Sequence, residues 1–177
     1  MYKKAVTLPT CTEAGYTTYI CTRCQDSYTA DHTESLGHRY GGPIFSWSET
    51  LSQATAARVC PCGEEISAQC SLSWDDSKPG KLTITATAEL ENQVFTDSKE
   101  ILSSMEQGVI TISLPCEVPG LHITAAAYGP SGQMTNLLIP ELADDSLTKT
   151  FPFSGDTIRL FFLDSQWIPL FPALTLP

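Results

Sequence analysis

Three cysteines and one histidine near the N-terminus have side chains and a spacing suited to a metal site. Cys11, Cys21, Cys24 and His38 follow the pattern C-x9-C-x2-C-x13-H. The short loop from Cys21 to Cys24 is typical of a zinc knuckle, to which Cys11 and His38 would add the other two tetrahedral ligands. This stretch has few aliphatic side chains, so it needs a cross-link in order to fold. The sequence therefore predicts a structural Zn²⁺ site made of these four residues.

Two other states are compatible with the same residues. A disulfide from Cys11 to Cys21 or Cys24 would also cross-link the segment, and the set could be a degenerate site without metal. His32 is a competing fourth ligand, although its place beside Asp31 in a loop favours a plain surface residue.

A second cysteine group consists of Cys60, Cys62 and Cys70 and includes a C-P-C-G loop. Pro61 stiffens this loop, and the sequence offers no evident fourth ligand. A second metal site and a disulfide from Cys70 to either of the other two are therefore both expected alternatives. Cys116, at a predicted strand end, is interpreted as a lone thiol and makes the number of cysteines seven, which is odd.

The residue types that usually carry catalysis form no recognisable pattern here. None of the three histidines stands in a setting typical of a Ser-His-Asp site, so we expect no enzymatic activity. Trp47, Trp74 and Trp167 could form a platform that stacks on sugars, which makes a carbohydrate-binding module the alternative function. Single tryptophans in small β-units are, however, more often part of hydrophobic cores.

The charge and the composition of the chain argue against a nucleic-acid-binding protein and favour a secreted one. The 177 residues include 20 acidic and 10 basic side chains, giving a net charge of −10. This balance argues against nucleic-acid binding, because a phosphate-binding surface needs clustered cations. Only 17% of the residues are charged, and Ser and Thr replace them, as in many secreted β-proteins. We find no signal-peptide core and no run of 18 apolar residues, so we expect no membrane insertion.

The elements that would position these side chains are β-strands. The run YTTYI before Cys21 and the run SYTA after Cys24 indicate two paired strands. Residues 81–90 alternate between apolar and polar, which predicts a half-buried strand, and VFTDSKEIL is its expected hairpin partner. Short strands at regular spacing follow and predict a small sandwich.

The sequence contains no helical pattern longer than two turns, so the predicted fold class is all-β. We predict three parts along the chain. These are a zinc-ribbon-like cysteine repeat over 1–42, a β-hairpin-based module with the second cysteine group over 43–105, and a small C-terminal β-sandwich over 106–177.

The N-terminal segment PTCTEAGYTTYICTRCQDSYTADHTESLGHRY resembles the cysteine-containing repeat modules in large extracellular proteins of gut-dwelling Gram-positive bacteria. The resemblance includes every cysteine of the segment and the closing Gly37-His38. The stretches KPGKLTITATAELENQVFTDSKEI and SLPCEVPGLHITAAAYGPSGQM are similar to β-modules of the same proteins. Gln25 stands where such repeats usually have glycine.

This resemblance implies an extracellular or cell-surface location and a place within a larger multi-modular chain. Modules of this kind serve as spacers, adhesion units or appendages, so the implied partner is an unidentified protein or glycan. We therefore expect a non-catalytic structural or adhesion module array, with Zn²⁺ as its predicted cofactor.

Overall fold

Alternating side chains and tight turns give an all-β structure, as the sequence predicted. The computed structural model describes residues 1–141 and 147–176, and within them 58% of the chain is strand and none is helical. No helix long and apolar enough to cross a bilayer is present in those residues.

The described residues form fifteen strands, most of them between four and ten residues long. They are β1 Tyr2–Thr7, β2 Gly15–Cys21, β3 Ser27–Thr33, β4 Ile44–Trp47, β5 Ala54–Val59, β6 Glu65–Gln69, β7 Ser71–Lys78, β8 Lys81–Leu90, β9 Gln93–Glu106, β10 Val109–Ser113, β11 His122–Tyr128, β12 Met134–Leu138, β13 Thr148–Pro152, β14 Thr157–Leu163 and β15 Leu174–Thr175. They associate into four sheets of order β1-β2-β3, β4-β5-β6, β13-β10-β9-β8-β7 and β12-β11-β14-β15.

The first compact unit consists of Met1–Ile44 and Ala57–Ile66. Strand β2 is the centre of its antiparallel β1-β2-β3 sheet, and the predicted YTTYI and SYTA strands are both present in it. All residues of this unit are described, and Cys60, which is 2% exposed, is the one hydrophobic side chain among them that is buried. A sheet with so little buried apolar area needs another source of stability.

The second compact unit consists of the described residues of Phe45–Ala56 and Ser67–Pro177. Strands β8 and β9 form the predicted hairpin, in which Leu82 pairs with Ile101. Apolar side chains of β8, β10, β11 and β14 alternate inward and share one core cluster, which includes the fully buried Ile84, Ile110 and Leu160. This unit therefore has the hydrophobic core that the first unit lacks.

The units follow different boundaries from the three predicted parts. The predicted 106–177 module shares the second unit with most of 43–105, because β10 pairs with β9 in register through Ile110 and Met105. Residues 57–66 belong instead with the first unit. Local turn signals in the sequence do not reveal which distant strands pair.

Candidate metal centre

A turn at the start of β2 fixes the first ligand, Cys11. The Thr10 N–H donates to the carbonyl of Glu13 at 3.0 Å, and the Thr10 hydroxyl accepts from the Glu13 N–H at 2.9 Å. Gly15 comes next, at a point where the chain runs close to Pro9. A Cβ at this position would lie 2.6 Å from Pro9 Cδ, so the close approach requires glycine. The turn presents Cys11 beside the open end of the β2–β3 hairpin.

The segment after β3 returns to the same end and brings His38. The Leu36 N–H donates to the carbonyl of Thr10 at 2.8 Å, which ties this segment to the Cys11 turn. The ring of His38 stacks on that of Tyr40 at 5.7 Å. Arg58 in turn donates through Nη2 to the Tyr40 carbonyl at 3.1 Å, so β5 holds the segment in place.

Strand β5 ends at a tight loop that carries Cys60 and Cys62. The Cys60 N–H donates to the carbonyl of Glu64, and the Gly63 N–H donates to the carbonyl of Cys60, each at 2.8 Å. Gly63 has a φ of 94°, a conformation that favours glycine. Pro61 thus lies inside a closed turn, and the sulfurs of Cys60 and Cys62 on either side of it belong to the same group of candidate ligands.

These three segments bring four soft ligands together in the first unit. Cys11 Sγ lies 3.8 Å from Cys60 Sγ, and Cys62 Sγ lies 3.3 Å from His38 Nδ1. All four ligand atoms lie within 4.8 Å of one another. Around a tetrahedral ion with Zn–S of ~2.3 Å and Zn–N of ~2.0 Å, two sulfurs would be about 3.8 Å apart and a sulfur and a nitrogen about 3.5 Å apart. The group is close enough to bind a metal ion.

The same sulfurs have strongly shifted acidities. The backbone N–H of Cys62 is the main cause that lowers the pKa of Cys60 to about 6, and the Arg39 N–H, 3.4 Å from Cys60 Sγ, acts in the same direction. Hydrogen bonds with Cys62 and Cys60 raise the pKa of Cys11 to about 11. Near neutral pH the metal-free group therefore holds a thiolate at Cys60 and a proton at Cys11.

The structure groups the candidate ligands differently from the sequence. Two members of the predicted Cys11–Cys21–Cys24–His38 set, Cys11 and His38, lie together with Cys60 and Cys62 of the second cysteine group. Cys21 and Cys24 lie at the other end of β2 and β3, in the turn that connects these strands.

The remaining cysteines lie in the second unit. Cys70 is buried, and burial raises its pKa; burial also raises the pKa of Cys116, which packs against the core. All seven cysteines are free thiols in the structure, so neither of the disulfides considered from sequence is present.

No protein-family model matches this sequence, and neither a curated protein nor a solved structure is significantly similar to it.

Proposed function

We propose that this chain is a non-catalytic structural or adhesion module array of a bacterial surface protein, and that a zinc ion in the Cys11–His38–Cys60–Cys62 group holds its first unit together. One observation carries the proposal. A unit that buries no aliphatic or aromatic side chain places three thiols and an imidazole within the reach of one ion.

Zinc is the metal that best fits these ligands. Three thiolates and an imidazole in a tetrahedral arrangement are typical of structural Zn²⁺ sites, whereas Mg²⁺ and Ca²⁺ prefer oxygen. Four protein ligands also fill the coordination sphere. A catalytic zinc ion keeps a position for water or substrate, so a closed site favours a structural role.

The magnitudes support a metal as the main stabiliser of the first unit. Its sheet is held by cross-strand pairs such as Tyr19 on Tyr28, whose rings stack at 5.1 Å. Pairs of this kind contribute roughly 0.2–1 kcal/mol each. A structural zinc ion contributes on the order of 10 kcal/mol.

The surface location rests on composition and likeness. The net charge is −10, only 17% of the residues are charged, and Ser and Thr are abundant. The resemblance of residues 9–40 to repeat modules of gut Gram-positive surface proteins points to the same location, and to a spacer or adhesion role within a longer chain.

Metal analysis of protein purified without chelator tests the zinc site. We expect about one zinc ion in the Cys3His group of each chain and loss of first-unit amide signals on chelation. Cys62→Ser should abolish this binding, whereas Cys24→Ser, which also removes an exposed thiol but lies outside the group, should leave the site filled. A folded first unit without any metal would overturn the zinc assignment.

Antibody labelling tests the location. An antibody raised against this chain should stain intact, unpermeabilised cells of the bacterium that produces it. Staining that requires permeabilisation would contradict a surface role.

A carbohydrate-binding role is the second candidate, and an exposed tryptophan favours it. Trp167 is 50% exposed and stacks on His122 at 4.6 Å with an angle of 9° between the rings. Both side chains line a cavity of about 800 Å³ that Glu117 and Glu141 also line. An aromatic face beside carboxylates that accept hydrogen bonds suits a sugar ring.

The turn that holds Trp167 is unusual for such a large residue. Trp167 has a φ of 63°, in the left-handed region. Asp164 Oδ1 accepts from the N–H groups of Gln166 and Ile168 at 2.8 and 2.9 Å and so fixes the turn. A strained, exposed aromatic side chain is a feature often found at binding sites.

A glycan array separates this candidate from a purely structural role. Binding to any glycan should be lost with Trp167→Ala and kept with Trp74→Ala, which removes a similarly exposed indole on β7. Trp47 is unsuitable as a platform, because it packs against the core and donates its indole N–H to Asp97 at 2.7 Å. An array without any bound glycan would remove the carbohydrate-binding candidate.

A further inference from the structure

The turn between β2 and β3 carries a second pair of cysteines outside the metal group. The Cys21 N–H donates to the carbonyl of Asp26 at 2.8 Å, and the Gln25 N–H donates to the carbonyl of Cys21 at 3.0 Å. Gln25 has a φ of 62°. The first cysteine is thus bonded to the residues one and two positions after the second.

The turn that supplies two ligands of the metal group has the same frame. There the Cys60 N–H donates to Glu64, the Gly63 N–H donates to Cys60, and Gly63 has the positive φ. In this comparison Cys60 corresponds to Cys21, Gly63 to Gln25, and Glu64 to Asp26. The two turns differ in the number of residues between the cysteines and in the residue with the positive φ, which is Gln25 in one and Gly63 in the other.

The pKa of the first cysteine is also shifted in the same direction in the two turns. In each, the backbone N–H of the second cysteine is the main cause that lowers the pKa of the first, Cys21 in one turn and Cys60 in the other. The side chain of Cys24 also acts to lower the pKa of Cys21. N–H groups that point at a sulfur favour the thiolate that a metal needs.

The backbone at Gln25 is the energetically costly part of this frame. A residue other than glycine in the left-handed region costs on the order of 1 kcal/mol. The turn keeps this conformation although its residue there is glutamine. A residue in the left-handed region commonly closes a short hairpin loop, and Gln25 has this place between β2 and β3.

The pair lacks the remaining ligands of a tetrahedral site within residues 1–141 and 147–176 of its own chain. Among the described residues, Cys21 and Cys24 belong to no group of three or more possible metal ligands. Residues 22–29 are all exposed, so the turn is open to another molecule. A pair of thiolates needs two more soft ligands to satisfy Zn²⁺.

We infer that the Cys21–Cys24 turn is a half-site, and that two copies of this chain bind one zinc ion between their turns through four cysteine sulfurs. Each copy supplies two ligands, and a two-fold axis through the ion completes the tetrahedron. The bridge needs no extended interface, since the metal–sulfur bonds supply the affinity.

The charge of the turn suits such a bridge. A zinc ion with four thiolates carries a net charge of −2. Arg23 lies between the two cysteines and is exposed, so two copies bring two positive charges to the ion. Arg23 and Asp26 leave the rest of the turn neutral, which avoids repulsion between the copies.

Sedimentation analysis of the full chain, with a phosphine reductant that prevents disulfides, tests the bridge. Zinc should convert the wild type to a dimer with about three ions per pair of chains, one in each Cys3His group and one in the bridge. Cys21→Ser/Cys24→Ser should remain a monomer with about one ion per chain. That remaining ion shows that the variant is folded and that the proposed structural site is intact.

Two further experiments, a charge reversal at Arg23 and an absorption spectrum with Co²⁺, test the bridge independently of the cysteine variant. Arg23→Glu keeps all ligands and should weaken zinc-dependent dimerisation roughly tenfold. Co²⁺ should add the absorption of a four-sulfur site only in the wild type. A zinc-dependent dimer of Cys21→Ser/Cys24→Ser, a wild type that stays monomeric with zinc, or two ions per monomeric chain would each overturn the bridge.

Discussion

His38 supplies the only nitrogen atom among the four candidate ligands that converge in the first unit. Its Nδ1 lies 3.3 Å from Cys62 Sγ, and its ring packs on Tyr40. The alternative ligand weighed from sequence, His32, instead has its ring 6.1 Å from that of Tyr16 and is outside the group. The two histidines are both exposed and make a matched pair.

His38→Ala should lower the zinc affinity by more than about 100-fold, because even residues that only support a ligand are worth 10–100-fold. His32→Ala should change the affinity little. Competition with a chromophoric chelator measures both. Equal affinities for the two variants would show that His38 is not a ligand.

The acidities of the thiols predict how metal binding depends on pH. The pKa of Cys60 is lowered from 9.0 to about 6, so its thiolate adds stability that is present above the ordinary thiol pKa and is lost as the pH falls through 6. The raised pKa of Cys11 means that this thiol gives up a proton to the solvent when metal binds at neutral pH.

We therefore expect zinc affinity to fall as the pH drops from 8 to 5, and to fall more steeply below about 6, where Cys60 is protonated as well. Calorimetry at pH 7 in buffers of different ionisation enthalpy should show proton release. A pH-independent affinity would contradict the thiolate ligands.

At the scale of elements, the length of one hairpin decides which ligands can meet. Strand β2 runs from Gly15 to Cys21, and six steps of ~3.3 Å separate its ends by roughly 20 Å. Cys21 and Cys24 lie at the closed end, whereas Cys11 and His38 lie at the open end. One ion cannot bridge that distance.

The sequence thus indicated both the strand and the ligands, but proximity along the chain was a poor guide to their grouping. The YTTYI strand, once recognised, already separates Cys11 from Cys21. The second group, predicted as Cys60, Cys62 and Cys70, had no evident fourth ligand in the sequence, and this gap was a signal that ligands from elsewhere in the chain could complete it. The return of residues 57–66 to the first unit has no local signature.

Gly15→Ala tests the turn that presents Cys11. The added methyl group would meet the backbone nitrogen of Pro9 at 2.8 Å, and that backbone has little room to move. We expect a loss of about 1–3 kcal/mol in the stability of the first unit and weaker zinc binding. Gly42→Ala is the control, since a Cβ there meets nothing within 4 Å. Identical zinc affinities for both variants would contradict this role for Gly15.

At the scale of the whole molecule, the two units differ in whether they contain a hydrophobic core. The second unit contains a core of buried residues from two sheets, and the first contains the thiol group. The all-β class and the β8–β9 hairpin could be predicted because alternation is a local property. The five-stranded β13-β10-β9-β8-β7 sheet could not, because it joins strands from two predicted parts.

Because the hydrophobic core lies in one unit and the proposed zinc site in the other, we predict two variants that each affect a different unit. Ile84→Ala should lower the stability of the second unit by about 2–5 kcal/mol and leave zinc binding unchanged. Cys62→Ser should abolish zinc binding in the Cys11–His38–Cys60–Cys62 group and leave the thermal transition of the second unit in place. Calorimetry with and without chelator separates the transitions. A single transition that both variants shift equally would show that the units unfold together.

The metal group also sets an order for folding during synthesis. Cys11 and Cys60 are 49 residues apart in sequence, and residues 45–56 of the second unit lie between them. A nascent chain that has released His38 from the ribosome holds only two of the four ligands. If zinc holds the first unit together, as we propose, this unit folds only after Cys60 and Cys62 have been synthesised, and a fragment that ends at residue 42 does not fold.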